Sequence, residues 1–530
     1  MKTLKMITGF AILLIMGFGC KSFDLNTDDL DLTLDINIIK TNIGINFLDA
    51  ATETLIGEDD DTRVKVTIYG KDADWVLDPS GSRFAEYYSS SGYLGLALDP
   101  YKAHPTVDNP VSFIAVVDID GYVSTSLPVR IDSEGIYEYD LRLVSLINPP
   151  DGVSVTQDTN IGSVTDGVVQ EDISISTDSD RAKISIDQGT VLLDQDGEPL
   201  EGNLNVDLVY FDPTKEGALE VFPGGMNVVV KNETGVEENV AFISAGFIAL
   251  DIKDASGKKA SNIKNDQIKI DMKIPSGLIN PETGVEVAAG DKIPLWSYDN
   301  VDGQWAYEGE IEVSGIPQDL SASCNLSHLS YWNLDWKRQS CSRKYLIFTG
   351  DNSISGYTRY RLKARLTSGF GYLFSTTKRI APGKKIKMVN IPTSPIEIYF
   401  AHSHNTCGVT DIWQMPSSFV WDFCANGDYT VQLTANQVST VNVEIIIHCT
   451  DTNQDFVPKQ WIKGRFRKQG NSCWTTVWIS GGSKAIAGIE PNTTYEIQAY
   501  YQGKWQPDPP FVQDVGTETT VIFRLAINCH

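Results

Sequence analysis

Histidine is the scarcest of the chemistry-bearing side chains in this 530-residue chain, at positions 104, 328, 402, 404, 448 and 530. His402 and His404, in FAHSHNTC, are two apart and share a face if a strand runs through them. With Cys407 and Cys424 they could complete a tetrahedral metal site. A disulfide beside two exposed histidines explains the same residues and is the reading they favour. Serine hydrolysis, zinc proteolysis and nucleotide binding each require a local signature, and the chain has no G-x-S-x-G, H-E-x-x-H, P-loop or dinucleotide glycine pattern. With 69 acidic residues, no carboxylate pair stands out for glycoside hydrolysis. Acidic turns at Asp118–Gly121, Asp194–Gly197 and Asp299–Gly303 offer carboxylates to calcium, but none is a twelve-residue EF-hand loop, and tight-turn chemistry accounts for most of them. No catalysis is expected, and no cofactor beyond an adventitious calcium.

Binding chemistry is better represented. In TRYRLKARL, Arg359, Arg361, Lys363 and Arg365 alternate with Tyr360, Leu362, Ala364 and Leu366. In WIKGRFRKQ, Lys463, Arg465 and Arg467 share a face opposite Ile462 and Phe466. Lys378, Arg379, Lys384, Lys385 and Lys387 add to the positive charge. Such strands are either charged edges that resist sheet-to-sheet pairing, the favoured reading, or an anion-binding strip. Ten of the eleven tryptophans lie from Trp296 onward. Trp474 and Trp478 share a strand face, with Trp461 and Trp505 in the same module. If exposed, these four could stack on sugars; core packing is the default for any one of them.

These residues must be held by strands. Runs such as RVKVTIYG, PVSFIAVVDIDGY, YEYDLRLVSL, LNVDLVYFDP, STVNVEIIIHC and TTVIFRLAINC alternate apolar and polar residues, and Gly, Pro, Asp and Ser clusters separate them. No helical stripe competes. The expected fold is all-β, a series of antiparallel sandwich modules of immunoglobulin-like or transthyretin-like kind. Composition breaks divide it into a segment 1–19, an acidic tether 20–62 with one short helix near Phe47–Ile56, and a sandwich 63–150. A larger unit 151–336, a basic sandwich 337–449 and a last sandwich 450–530 follow. The last two read as distant repeats, each with a basic strand and an apolar strand ending in cysteine.

Charge and cysteine follow the same division. The chain carries −26, made of −34 over residues 1–336 and +8 over 337–530. Seven of eight cysteines fall in the last 210 residues. Cys407 with Cys424, and Cys341 with Cys449, are the expected disulfides, with one thiol left over.

Residues 1–20, MKTLKMITGFAILLIMGFGC, join two lysines to a short apolar core and end on an isolated cysteine. That core is too short to span a bilayer and reads as an export signal. Cys20 after Gly19, with Gly17 where Leu is usual and acidic residues following, resembles the relaxed signal of Bacteroidetes-type surface lipoproteins. The resemblance implies acylation of Cys20, attachment to the outer membrane or cell surface, and no nucleic-acid partner. Pro294-Leu-Trp296-Ser-x-Asp299, Gly303-x-Trp305 and His328-x-Ser330-x-Trp332-Asn333 resemble the extracellular β-domains of the cartilage intermediate layer protein and astroprincin-type families. That likeness implies a structural or adhesive module and no catalysis. By residue type alone, Asn300–Gly303 is a hairpin turn, with Trp296 and Trp305 placed to pair across it, and His328 a hydrogen-bonded, half-buried side chain.

The expected protein is therefore a lipid-anchored envelope protein with a binding, adhesive or structural role, in contact with a surface polysaccharide or another envelope protein. A carbohydrate-binding part of a polysaccharide uptake system is the alternative, and a cryptic hydrolase a second. The acidic modules would lie near the anchor, with the basic ones furthest from the membrane.

Overall fold

Period-two alternation becomes strand wherever one face can be buried. In Val111–Val117 every second residue is buried, and the fold is all-β, a series of tandem sandwich modules with only single-turn helices between strands among the described residues. The computed structural model describes residues 39–530, apart from 59–61, 226, 265–267, 339–340, 342–343, 352–356, 368–371, 389–390, 392, 403–411, 437–439, 458–460, 473, 480–482, 488, 502, 518–519 and 528–530. Cys20, His404, Cys407, Cys473 and Cys529 lie outside the described residues.

Three modules repeat one topology. In the first, Thr41–Asp49 lies between Tyr93–Leu98 and Gly135–Leu143, while a second sheet runs Glu86–Tyr88, Lys65–Tyr69, Val111–Val117, Thr125–Ile131. In the third, Lys344–Thr349 lies between Lys385–Met388 and Tyr429–Gln432. Its second sheet runs Tyr372–Ile380, Thr358–Leu366, Ile396–His402, Ser418–Trp421. In the fourth, Thr440–Cys449 lies between Ser483–Ala487 and Thr520–Ile527, over a sheet of Thr475–Ile479, Ile462–Lys468, Thr493–Tyr501 and Lys504–Val515. In each, the first strand pairs in parallel with the last, a closure that the antiparallel expectation did not include.

That closure corrects several expectations. Thr41–Asp49 is a strand buried on both faces, so the tether ends before residue 41, the first sandwich starts there and not at 63, and no helix forms at Phe47. Ile43, Ile45 and Phe47 enter the core, while Asn42 and Asn46 are buried on the other face, and their polarity disguises the strand. Thr440–Cys449 opens the fourth module, so the last boundary falls before it. The two cysteine-ended strands are thus first and last strands of one module and not the ends of two. Cys341 bonds to Cys424, with Cα atoms 5.6 Å apart, and neither expected pair forms. The cause is register. Leu346 lies beside Tyr429 in the parallel pair, and each cysteine stands five residues upstream of one of them. Cys449 is also disulfide-bonded. Cys324 is a free thiol, pushed up to about 12 by burial and then by Asp271.

The second, central unit is a 14-stranded sheet that doubles over itself. Its long strand Gln304–Ile316 pairs with Lys292–Asp299 at one end and with Asp319–Leu326 at the other, carrying the sheet around the core. The hairpin turns at 300–303, with Gly303 at φ 64 and its N–H donating to the Asp299 carbonyl at 2.8 Å. The turn sets Asp299 opposite Gln304, so Trp296 faces Tyr307 and Trp305 faces Tyr298, and the tryptophans do not pair; a bulge between Leu295 and Trp296 shifts the register only beyond them. The apolar core continues unbroken from Leu334 and Trp336 into Leu346 and Leu362 of the third module.

The fourth module packs back on the first. Tyr93, Tyr500 and Trp505 form one buried aromatic cluster, with the Tyr93 and Tyr500 rings edge-on at 4.7 Å. The basic end therefore does not reach away from the acidic end. Gly95 makes this contact possible, because a Cβ there would stand 2.7 Å from the Tyr500 ring. Gly95→Ala is expected to destabilise the protein by about 1–3 kcal/mol through overpacking. A chemical-denaturation midpoint unchanged from wild type would show that the contact is slack.

Candidate functional site

Strand Thr358–Leu366 lies inside its sheet, not at its edge, and the Arg359, Arg361 and Lys363 side chains are mostly withdrawn from solvent, so these three are not a solvated edge. Nor do they form an open anion strip, because acidic residues of the first two modules already meet them. Arg359 lies 3.6 Å from Asp140. Arg361 pairs with Glu53 at 3.1 Å and also with Glu220. Lys363 pairs with Glu220 at 3.0 Å and with Glu216. Arg142 closes the set with two hydrogen bonds to Glu53, at 2.8 and 3.1 Å. Three same-face cations thus meet carboxylates of the first module and of the central unit in turn. Arg365, the fourth, stays within its module, on Glu397 at 2.9 Å and over the Tyr399 ring.

Glu138 is the centre of this junction. It lies on Gly135–Leu143, keeps only 13% of its side chain exposed, accepts from Trp478 Nε1 at 2.7 Å and from Lys463, and forms an ion pair with Arg379. Burial alone would raise its pKa, but Lys463, Arg379 and Arg359 hold the carboxyl well below the usual range. The Lys463 side chain is 1% exposed, and burial lowers it to about 8 against the opposing pull of Glu138. Asp140 is likewise held down, with burial opposed by Arg359, Thr377 and Asn46. One carboxylate therefore joins the first, third and fourth modules.

The remaining sequence-predicted residues are also internal. Arg465 lies between the Trp474 and Trp505 rings, 4.4 Å from each, and donates to Gln498 at 2.8 Å. Burial lowers it to about 9. Arg467 bonds to Glu496 at 2.5 Å and stacks on Trp474. Trp474, Trp478 and Trp505 are buried, so they offer no sugar platform; Trp461 keeps 37% of its surface exposed. His402 ends a strand, but its side chain, His404 and Cys407 lie outside the described residues, and Cys424 is in the disulfide, so it is no metal ligand. Among the described residues no group of three metal-ligating side chains converges. The acidic partners Glu53, Glu138, Asp140, Glu216 and Glu220 were not singled out by sequence. Their signal was the opposite charge of the two halves, which pointed inward as well as outward.

A cleft of about 700 Å³ separates the first module from the central unit. The family-like residues Ser297, Asp299, His328 and Ser330 line it, facing Tyr69, Tyr122 and Ser124. His328 is half-buried, packs on Trp332 at 4.9 Å, and faces Glu308 at 3.5 Å. Ser297 Oγ donates to Glu308 at 2.6 Å, so Glu308 lies between the serine hydroxyl and the imidazole. The Oδ1 atoms of Asp251 and Asn300 are buried at this cleft without a donor. The three acidic turns fold as turns: Asp194 Oδ1, for example, accepts from the backbone N–H groups of Asp196 and Glu198.

No protein-family model matches the chain, and no curated protein does. Among solved structures it is similar to a streptococcal ancillary pilin, at 10% identity over 46% of this chain and 94% of that one, with a TM-score of 0.16. The shaft pilin SpaA of Lactobacillus rhamnosus GG is 7% identical over 36% of this chain and 98% of its own, at 0.19. The major pilin subunit BcpA of Bacillus cereus is 8% identical over 92% and 99%, at 0.15. Superpositions this loose carry no argument about fold or role, which rest here on the strands and contacts described.

Glu138→Gln would leave Lys463 and Arg379 buried beside a neutral amide. Breaking a buried pair from one side costs about 3–5 kcal/mol, and that loss is expected at pH 7. Because the folded carboxyl titrates below its unfolded value, its contribution is present above the ordinary carboxylate range and disappears as pH falls through the depressed value. The wild-type and Glu138→Gln urea midpoints should therefore differ at pH 7 and converge toward pH 2. A constant gap would deny Glu138 this role.

Proposed function

We propose that this is an exported, lipid-anchored cell-surface protein with a non-catalytic structural or adhesive role, presenting four modules as one stiff body. The supporting observation is the buried charge junction. Sandwich modules on flexible linkers need no such network, whereas an element that transmits force or holds a spacing does. Cys20 would carry the lipid and place the body at the outer membrane, and a surface polysaccharide or another envelope protein would be its partner.

A second reading, carbohydrate binding, moves from the buried tryptophans to the 700 Å³ cleft. Two buried acceptors without donors, beside Tyr69, Tyr122 and His328, suit a ligand rich in hydroxyl groups.

For the anchor, wild-type protein is expected in the membrane fraction with an acylated mature N-terminus at Cys20, and Cys20→Ser in the soluble fraction. An unmodified, soluble wild-type protein would overturn it. For the cleft, a glycan array should give hits that fade about tenfold or more with Asp251→Ala, as losing one charged hydrogen bond does. Hits that survive the substitution would place the sugar elsewhere.

A further inference from the structure

We propose that the seam between the first and third modules is a binding site for a compact anionic group, a carboxylate, sulfate or phosphate, held by Lys378, Lys384 and Lys385. The site does not depend on the surface role above.

The seam contains a pocket of about 320 Å³, walled by residues 136–140 of the first module and by Arg359, residues 377–379 and residues 384–387. Six of these side chains are cationic and two, Glu138 and Asp140, are anionic. Both carboxylates are already engaged, Glu138 by Lys463 and Arg379, and Asp140 by Arg359 and Asn46. Lys387 reaches Asp132 at 3.5 Å. Among the described residues no carboxylate lies within ion-pair distance of Lys378, Lys384 or Lys385. Arg379 also keeps a buried Nε without an acceptor.

Three edge strands meet here: Gly135–Leu143, Tyr372–Ile380 and Lys385–Met388. Protection of a sheet edge accounts for the exposed Lys384 and Lys385. It does not account for Lys378, which is half-buried. Burial and then the nearby Lys384 push its ammonium below its ordinary value, and burial and Arg379 do the same to Lys384. Lys378 and Lys384 therefore repel one another, Asp140 offsetting part of this at Lys378, and a bound anion would relieve that repulsion. The chain as a whole carries −26, so a local concentration of unmatched positive charge is where an anion could approach it. Lysine ammoniums act as point charges and accept any of the three groups.

The test is calorimetric titration of the mature protein with inorganic phosphate, inorganic sulfate and glucuronate, at constant ionic strength. Saturable binding of at least one is expected. Lys378→Gln combined with Lys384→Gln should weaken it about tenfold or more, the loss of one charged hydrogen bond or greater. The same double variant, without anion, should melt no lower than wild type, because it removes repelling charges. Lys292→Gln, an exposed lysine of the central unit, should bind as wild type does. Glucuronate alone would assign a carboxylate ligand, and phosphate or sulfate alone a tetrahedral one. Saturable binding of none, undiminished binding by the double variant, or an equal loss with Lys292→Gln would overturn the proposal.

Discussion

A charge withdrawn from water must be met by an opposite charge or by well-placed hydrogen bonds, and the arrangement of this molecule follows from that requirement. Arg359, Arg361, Lys363 and Lys463 lie on strands whose other face is core, so none can turn toward solvent without undoing its sheet. Their counterions come from other modules. Glu138 alone engages Lys463 and Arg379, while Glu220 lies among Arg142, Arg361 and Lys363. A module displaced from this junction would leave several buried charges unmatched at once, which makes separation of the modules cooperative.

The repeated topology prepares that arrangement. In the third and fourth modules the basic strands, Thr358–Leu366 and Ile462–Lys468, occupy equivalent places in equivalent sheets. The first presents Arg359, Arg361 and Lys363 to neighbouring modules and the second presents Lys463, while the apolar residues of each fill its own sandwich. The first module uses its parallel closing strand Gly135–Leu143, where Glu138, Asp140 and Arg142 alternate in the same way. One period-two rule thus serves both sides of the junction. Apolar surface completes the fusion: Trp336 and Leu346 belong to one core spanning two modules, and Tyr500 and Trp505 close on Tyr93.

Strand content and the alternation of basic residues were legible because both depend on spacing along the chain. The third and fourth modules were recognisable as related for the same reason, although Thr440–Cys449 was assigned to the wrong one. Thr41–Asp49 escaped notice because Asn42 and Asn46, buried only by tertiary contacts, make it look like a loop. The cysteines show the same boundary of inference. Cys341 and Cys424 are 83 residues apart, and only the parallel register of the two strands that follow them makes them neighbours. The tryptophans of the last module were correctly grouped by face, but residue type cannot distinguish a platform for sugar from a clamp around Arg465.

By itself the sequence determined the all-β class, the strand faces, the crowding of charge into two opposite halves and the turn at 300–303. These are local properties, set by side-chain period and by residues such as Gly303 that tolerate unusual backbone angles. Tertiary structure alone decided where the charges point. Opposite net charge permits either attraction to an outside partner or attraction between a protein's own parts. Which one occurs depends on distances between residues hundreds of positions apart, such as Glu138 and Lys463. The fold turns Arg359, Arg361, Lys363, Arg379 and Lys463 inward to bind its own acidic half, and among the described residues the seam lysines Lys378, Lys384 and Lys385 make no such pair.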